Sequence, residues 1–267
     1  MHIPKESLAK RNLCFCVVVL ALLSMPGLVK AGENLDRAEQ LTAEMKYVPA
    51  LKAVGKILFS ADSGPEDLAA AYRIQGMCFA ALGKGRKARR AFDKLLVIDP
   101  EHQLSKRVSP KLRQPFDAAL AAAKGKTPLG LSHEVPAVPE NLAGLELSVS
   151  LDDRLKMVKQ LKVSYSLGDG PAEEHVWKVK GAGDYKFQLP EETDADQVSY
   201  YFVALNPEGG VLAFSGKADE PFKLLSKAGV AMAQQMEADR KAAEEKRLAD
   251  AQTLAALESK AEPDDEG

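Results

Sequence analysis

The run Gly83-Lys84-Gly85-Arg86-Lys87-Ala88 matches the loose form of a nucleotide-binding fingerprint, G-x-G-x-x-A. A phosphate cradle of that kind needs a strand before its first glycine, so that the pyrophosphate meets a helix N-terminus at a sheet edge. The residues before Gly83 carry helical spacing, which makes the glycines a tight turn between two helices. The other chemistry-bearing residues are dispersed. His102, His133 and His175 stand apart from one another and from any cysteine, so no zinc-ligand spacing arises. No G-x-S-x-G elbow is present. Cys78 adjoins Phe79 on an expected buried helix face and reads as a small core residue, not a nucleophile. Asp152-Asp153 and Glu173-Glu174 fall in expected turns, where solvated charge accounts for them, and nothing points to the buried carboxylate pair of a glycosidase. The sequence therefore leads us to expect no catalytic residue, no metal and no cofactor.

The elements that carry these residues begin with helices. Leu68, Ala71, Tyr72, Gln75, Phe79 and Leu82 follow i, i+3, i+4 spacing, as do Ala88, Ala91, Phe92, Leu95 and Leu96. Gly83 to Gly85 interrupts the two runs and Asp99-Pro100 ends the second. The densest charge, Lys84, Arg86, Lys87, Arg89, Arg90 and Lys94, then falls on the wet face of the second helix.

This hairpin resembles a tetratricopeptide repeat, a unit of about 34 residues. Counted from Ala69, Tyr72 takes the tryptophan position, Gly76 the small position where the two helices touch, and Phe79 the tyrosine position. Ala88, Phe92 and Pro100 complete the second helix and its stop, while Gln75 and Leu95 depart from the usual leucine and alanine. A repeat cannot bury its apolar faces alone. Leu35–Phe59 reads as a weaker second pair, and a helix starting at Pro110 after Ser109 reads as a cap. The resemblance implies a concave groove lined by the first helix of each hairpin, with Arg73, Gln75 and Met77 as its candidate peptide-contacting residues.

The N-terminus is different in kind. Lys5, Lys10 and Arg11 precede the apolar run Leu13–Leu23, Met25-Pro26-Gly27 follows, and Val29-Lys30-Ala31 supplies a cleavage site. That is the layout of a secretory signal peptide. A retained anchor is the alternative, although the run is shorter than the roughly 20 residues that span a bilayer. Cleavage after Ala31 removes Lys5, Lys10, Arg11 and Lys30 against Glu6, taking the net charge from −2 to −5. It also leaves Cys78 alone of three cysteines. A single thiol forms no internal disulfide, which suits a bacterial envelope compartment better than a cysteine-rich secreted module. That location makes nucleic acid an unsuitable partner for the basic run, and no other stretch is apolar enough to cross a membrane.

After Pro128, Pro136 and Pro139 the period becomes two. Leu145–Leu151, Leu161–Leu167 and Tyr185–Leu189 alternate, Val198–Leu205 is apolar on both faces, and Val176–Val179, Val211–Phe214 and Phe222–Leu225 add short strands. Leu145–Leu225 resembles a fibronectin type III or immunoglobulin-like sandwich, in which Trp177, Tyr200 and Tyr201 are core or corner residues. From Lys227 to Lys260 the composition is that of a long charged helix.

The expected architecture is thus multidomain, α then β. It comprises a signal peptide (1–31), a short tetratricopeptide-like helical array (32–125), a Pro-containing linker (126–141), a β-sandwich (142–225), a C-terminal long helix (226–260) and an acidic tail (261–267). The expected function is a non-enzymatic, exported protein-protein scaffold, periplasmic or otherwise in the cell envelope. The alternative is an accessory subunit of an envelope enzyme or export complex. The expected partner is a protein or peptide, with weak self-association through the last helix.

Overall fold

A computed structural model describes residues 26–260 of the chain, with side chains described for 32–253. The apolar run Leu13–Leu23 and the acidic tail lie outside the described residues. Helix α1 (Pro26–Ala43) opens on a proline, whose fixed φ and missing N–H suit a first helical position, and it crosses the Ala31–Gly32 bond. It is followed by α2 (Tyr47–Leu58), α3 (Pro65–Ala81), α4 (Gly85–Ile98) and α5 (Pro110–Ala123), each packed on its predecessor. No helix among the described residues is long and apolar enough to cross a membrane.

The start and end of α3 follow from local chemistry. Pro65 occupies its first position, and the Gly64 N–H donates to Asp67 Oδ2 at 3.1 Å. At the other end the Lys84 N–H reaches Phe79 O at 2.8 Å and the Gly83 N–H reaches Ala80 O at 3.0 Å, with Gly83 at φ 72°. This is a Schellman stop, and it needs a left-handed residue where Gly83 stands. Helix precedes the glycines and helix follows them, as the hairpin reading expects. The α1 end closes in the same way, Lys46 N–H to Leu41 O at 2.8 Å and Met45 N–H to Thr42 O at 3.0 Å, but there the left-handed position (φ 60°) is filled by Met45.

Two antiparallel sheets follow. One orders β1 (Gly130–Ser132), β2 (Glu146–Asp152) and β5 (Gly183–Gln188) as β1-β2-β5. The other orders β4 (Glu173–Lys178), β3 (Gln160–Leu167), β6 (Gln197–Leu205) and β7 (Val211–Ser215) as β4-β3-β6-β7, with β8 (Phe222–Leu225) on the other half of the β6 edge. Inward residues of both sheets, among them Leu147, Val149, Leu161, Val163, Tyr200 and Phe202, join one buried cluster. All seven expected strands are present. β1 is additional, and it lies within the stretch read as linker: Leu129 and Leu131 are buried and Leu131 pairs with Leu151. Three residues are too few to show a period, so apolar burial decides what the flanking prolines conceal.

The helices and sheets are not separate bodies. The buried cluster runs without a break from Phe92 and Phe116 through Leu129 to the strands. The Leu129 N–H donates to Val97 O at 2.9 Å, and the Val211 N–H to Ser63 O at 2.8 Å. The turn between β6 and β7 rests on the α2–α3 loop, and a Cβ at Gly210 would lie 3.0 Å from Ser60 O. Helix α6 (Lys227–Lys260) then departs from β8. Ser226 fixes its start, donating to Asp196 Oδ1 and accepting the Gly229 N–H at 3.0 Å. Beyond Val230 its described side chains are exposed or nearly so, and Glu237 with Arg240 and Lys241 forms i, i+3 and i, i+4 ion pairs that support a solvated helix.

Candidate functional site

Of the residues expected to mark the repeat, all but Pro100, which is exposed in the turn after α4, meet inside the helix pair. Tyr72, Ala88 and Phe92 are buried, and Phe79 packs partly buried against them. A Cβ built on Gly76 would lie 2.4 Å from Phe92 Cε1, so the α3–α4 approach depends on that glycine. Phe92 is in turn held edge-on by Phe116, with ring centroids 5.3 Å apart.

Of the three candidate groove residues, Arg73 and Gln75 line different hollows and Met77 lines neither. Arg73 lines a hollow of about 370 Å³ with Pro65, Glu66, Ala69 and Ala70 of α3 and with the Asp99–His102 turn, which includes Pro100. Met77, one turn further along α3, lies partly buried against the main core. Gln75 opens instead into a second hollow, of about 470 Å³, on another side of α3. At 3.6 residues per turn Gln75 is rotated about 200° from Arg73, so the two cannot share a groove wall.

The first hollow carries organised polar groups. Arg73 Nη2 donates to Glu39 Oε1 of α1 at 2.5 Å, which fixes the guanidinium while leaving its other donors available. His102 Nδ1 pairs with Asp99 Oδ2 at 3.0 Å, and its Nε2 is buried without a hydrogen-bond partner among the described residues. Glu39 neutralises Arg73, and Glu66 and Asp99 add two carboxylates to the wall, so the hollow suits a peptide carbonyl or a polar side chain better than a free carboxylate.

Cys78 is fully buried between α3 and α1, its Sγ 3.6 Å from Thr42 Oγ1, and burial pushes its thiol pKa up, away from reactivity. Among the described residues no group of three or more His, Cys, Asp or Glu could hold a metal. His133 caps the strand core, its Nε2 2.8 Å from Tyr200 Oη, and burial pushes the Tyr200 hydroxyl up to about 12. His175 lies beside the Trp177 and Phe187 rings. Glu173 accepts from Tyr165 Oη at 2.7 Å and Glu174 pairs with Lys162 at 2.7 Å.

Asp153 corrects the expectation of solvated turn charge. It is only 3% exposed, and its two carboxylate oxygens accept the N–H groups of Met157 and Val158 at 2.9 and 2.8 Å. Nothing in the sequence distinguishes a capping aspartate in a turn from a solvated one. Lys84, Arg86, Lys87, Arg89, Arg90 and Lys94 are all exposed, as a wet helix face requires. No family model matches the chain, and no curated protein matches it.

Proposed function

We propose that the chain is an exported, non-enzymatic protein-protein interaction scaffold of the bacterial cell envelope. In this reading α1–α5 form a short tetratricopeptide-like array, and the two sheets form a fibronectin type III or immunoglobulin-like sandwich. The signal-type N-terminus supports export, and Gly76 beneath Phe92 supports the repeat assignment. The observation that carries the binding role is the hollow beneath Arg73, where a guanidinium is pre-oriented by Glu39 beside the small side chains of Ala69 and Ala70. An extended segment laid there offers carbonyls to the remaining Arg73 donors.

A partner recovered by cross-linking tests this. Arg73→Gln removes the charged guanidinium and its reach, leaving only a shorter neutral amide, without setting a second carboxylate against Glu39, which Arg73→Glu would do. A charge-assisted hydrogen bond contributes about 1.5–3 kcal/mol, so the complex should weaken roughly tenfold or more. Loss of the partly exposed Arg73–Glu39 pair should cost folding only about 0.2–1 kcal/mol. Unchanged affinity would remove the hollow from the binding surface.

A further inference from the structure

The second hollow is a cleft between the helices and the strand-bearing half of the chain. Its helical wall is Leu51, Gly55 and Leu58 of α2, Tyr72, Gln75 and Phe79 of α3, and Lys94 of α4. The opposite wall is the turn before β3, with Leu155, Lys156, Met157 and Lys159, and the β6–β7 turn, with Glu208. At about 470 Å³ it has the size of a ligand site.

Three features of this cleft go beyond packing. First, its charge is one-sided. Lys94, Lys156 and Lys159 face a single carboxylate, Glu208, although the whole chain is acidic. None of the three lysines is in an ion pair among the described residues. Lys94 is instead placed over the Tyr72 ring, its ammonium 5.1 Å from the ring centre. Second, the turn that presents Leu155 and Lys156 is built to stay in place. Asp153 is buried to hold it, and Lys156 sits in the left-handed region at φ 54°. A non-glycine residue there carries strain that the surrounding hydrogen bonds must overcome. Third, the mouth is apolar: Phe59 is 72% exposed and Leu155 37% exposed. Both residues line the cleft, so an occupant seated in it covers apolar surface at the mouth as well as meeting the lysines.

We propose that this cleft binds an extended acidic peptide segment of a partner protein, with apolar side chains against Phe59, Leu155 and the Tyr72–Phe79 face and carboxylates beside Lys94, Lys156 and Lys159. Charge complementarity selects an acidic segment, and the apolar rim selects one with interspersed hydrophobic residues. This site is distinct from the hollow under Arg73, and either can fail without the other.

The test uses the full chain and a fluorescein-labelled peptide of alternating glutamate and leucine, followed by anisotropy. Binding should weaken as salt is added, and should weaken about tenfold or more in the exposed-residue variant Lys156→Gln with Lys159→Glu. Leu155→Ser should weaken it too, while Arg73→Gln should leave it unchanged. A peptide of alternating glutamate and serine should bind more weakly than the leucine peptide. Melting temperatures of the variants, read alongside, separate lost binding from lost folding. No binding by the parent chain overturns the proposal, as does equal binding by the lysine variant. Loss on Arg73→Gln alone would move the acidic segment to the other hollow. Sedimentation with phosphatidylglycerol vesicles that the lysine variant abolishes, without peptide binding, would replace the peptide by an anionic lipid surface and overturn the proposal.

Discussion

Gly76→Ala inverts the usual sign of a glycine substitution in a helix, and the structure sets how far. In an open helix the change stabilises by about 0.5–1 kcal/mol, because glycine loses more backbone freedom on folding. At Gly76 the new methyl carbon would stand 2.4, 2.6 and 2.7 Å from three carbons of the Phe92 ring. Favourable carbon contacts lie near 3.5–4.0 Å, so the overlap is about 1 Å along one ring edge. Phe92 is fully buried, and Phe116 stands edge-on to it 5.3 Å away, so the ring cannot swing aside without opening the α4–α5 contact. Overpacking of this kind costs about 1–3 kcal/mol. Three contacts about 1 Å too short place the cost in the upper half of that range, so after the gain in helix propensity a net destabilisation of about 1–2 kcal/mol remains. For a chain of this size each kcal/mol lowers the melting temperature by about 2–4 °C. Calorimetry on the parent, on Gly76→Ala and Phe92→Leu singly, and on the two combined completes a double-mutant cycle. The smaller side chain should relieve the clash, so the double variant should lose less than the two single losses combined. A Gly76→Ala protein as stable as the parent, or more so, would refute the close α3–α4 approach and with it the main support for a repeat.

Asp153→Ala should cost about 1–3 kcal/mol in chemical denaturation, because the Met157 and Val158 N–H groups lose a buried acceptor; a loss indistinguishable from zero would mean the turn is held by something else. Met45→Gly should stabilise by about 0.5–1 kcal/mol, because relief of the steric cost of a left-handed methionine, whose side chain is largely exposed, outweighs glycine's larger loss of backbone freedom; a lower melting temperature would contradict the Schellman geometry at the α1 end. Burial pushes the Tyr72, Tyr165 and Tyr200 hydroxyls up to about 12, with Glu208 and Glu173 adding to the first two. The native state therefore holds these protons more tightly than the unfolded chain, and stability is lost as pH rises from about 10 towards 12. An absorbance titration should show late tyrosine ionisation that coincides with loss of near-ultraviolet circular dichroism. Ionisation of all the tyrosines near pH 10 with the fold intact would contradict their placement.

Much of the fold was legible because its signals are local. The α3–α4 hairpin follows from apolar spacing and a glycine stop, and the longer strands follow from alternation, because each pattern lies within one element. β1 was hidden because Leu129 and Leu131 give only two inward positions beside prolines that read as linker. The opposed faces of Arg73 and Gln75 follow from the helical repeat, but a groove inferred by resemblance grouped them by nearness in sequence. The basic cleft could not be read at all. Its helical wall lies between Leu51 and Lys94 and its other wall between Leu155 and Glu208, so Lys94 comes opposite Lys156 and Lys159 only once the helices and strands have docked, in part through the β6–β7 turn on the α2–α3 loop.

The scaffold reading stands most directly on whether a partner occupies the hollow under Arg73. A photoreactive benzoylphenylalanine at Ala70, on its floor, with a second placed at the solvated Met236 of α6 as control, measures this in intact cells. The account predicts one discrete adduct in the envelope fraction from position 70, absent from position 236 and diminished when Arg73→Gln is added. No adduct from position 70, or one that Arg73→Gln leaves untouched, would contradict it.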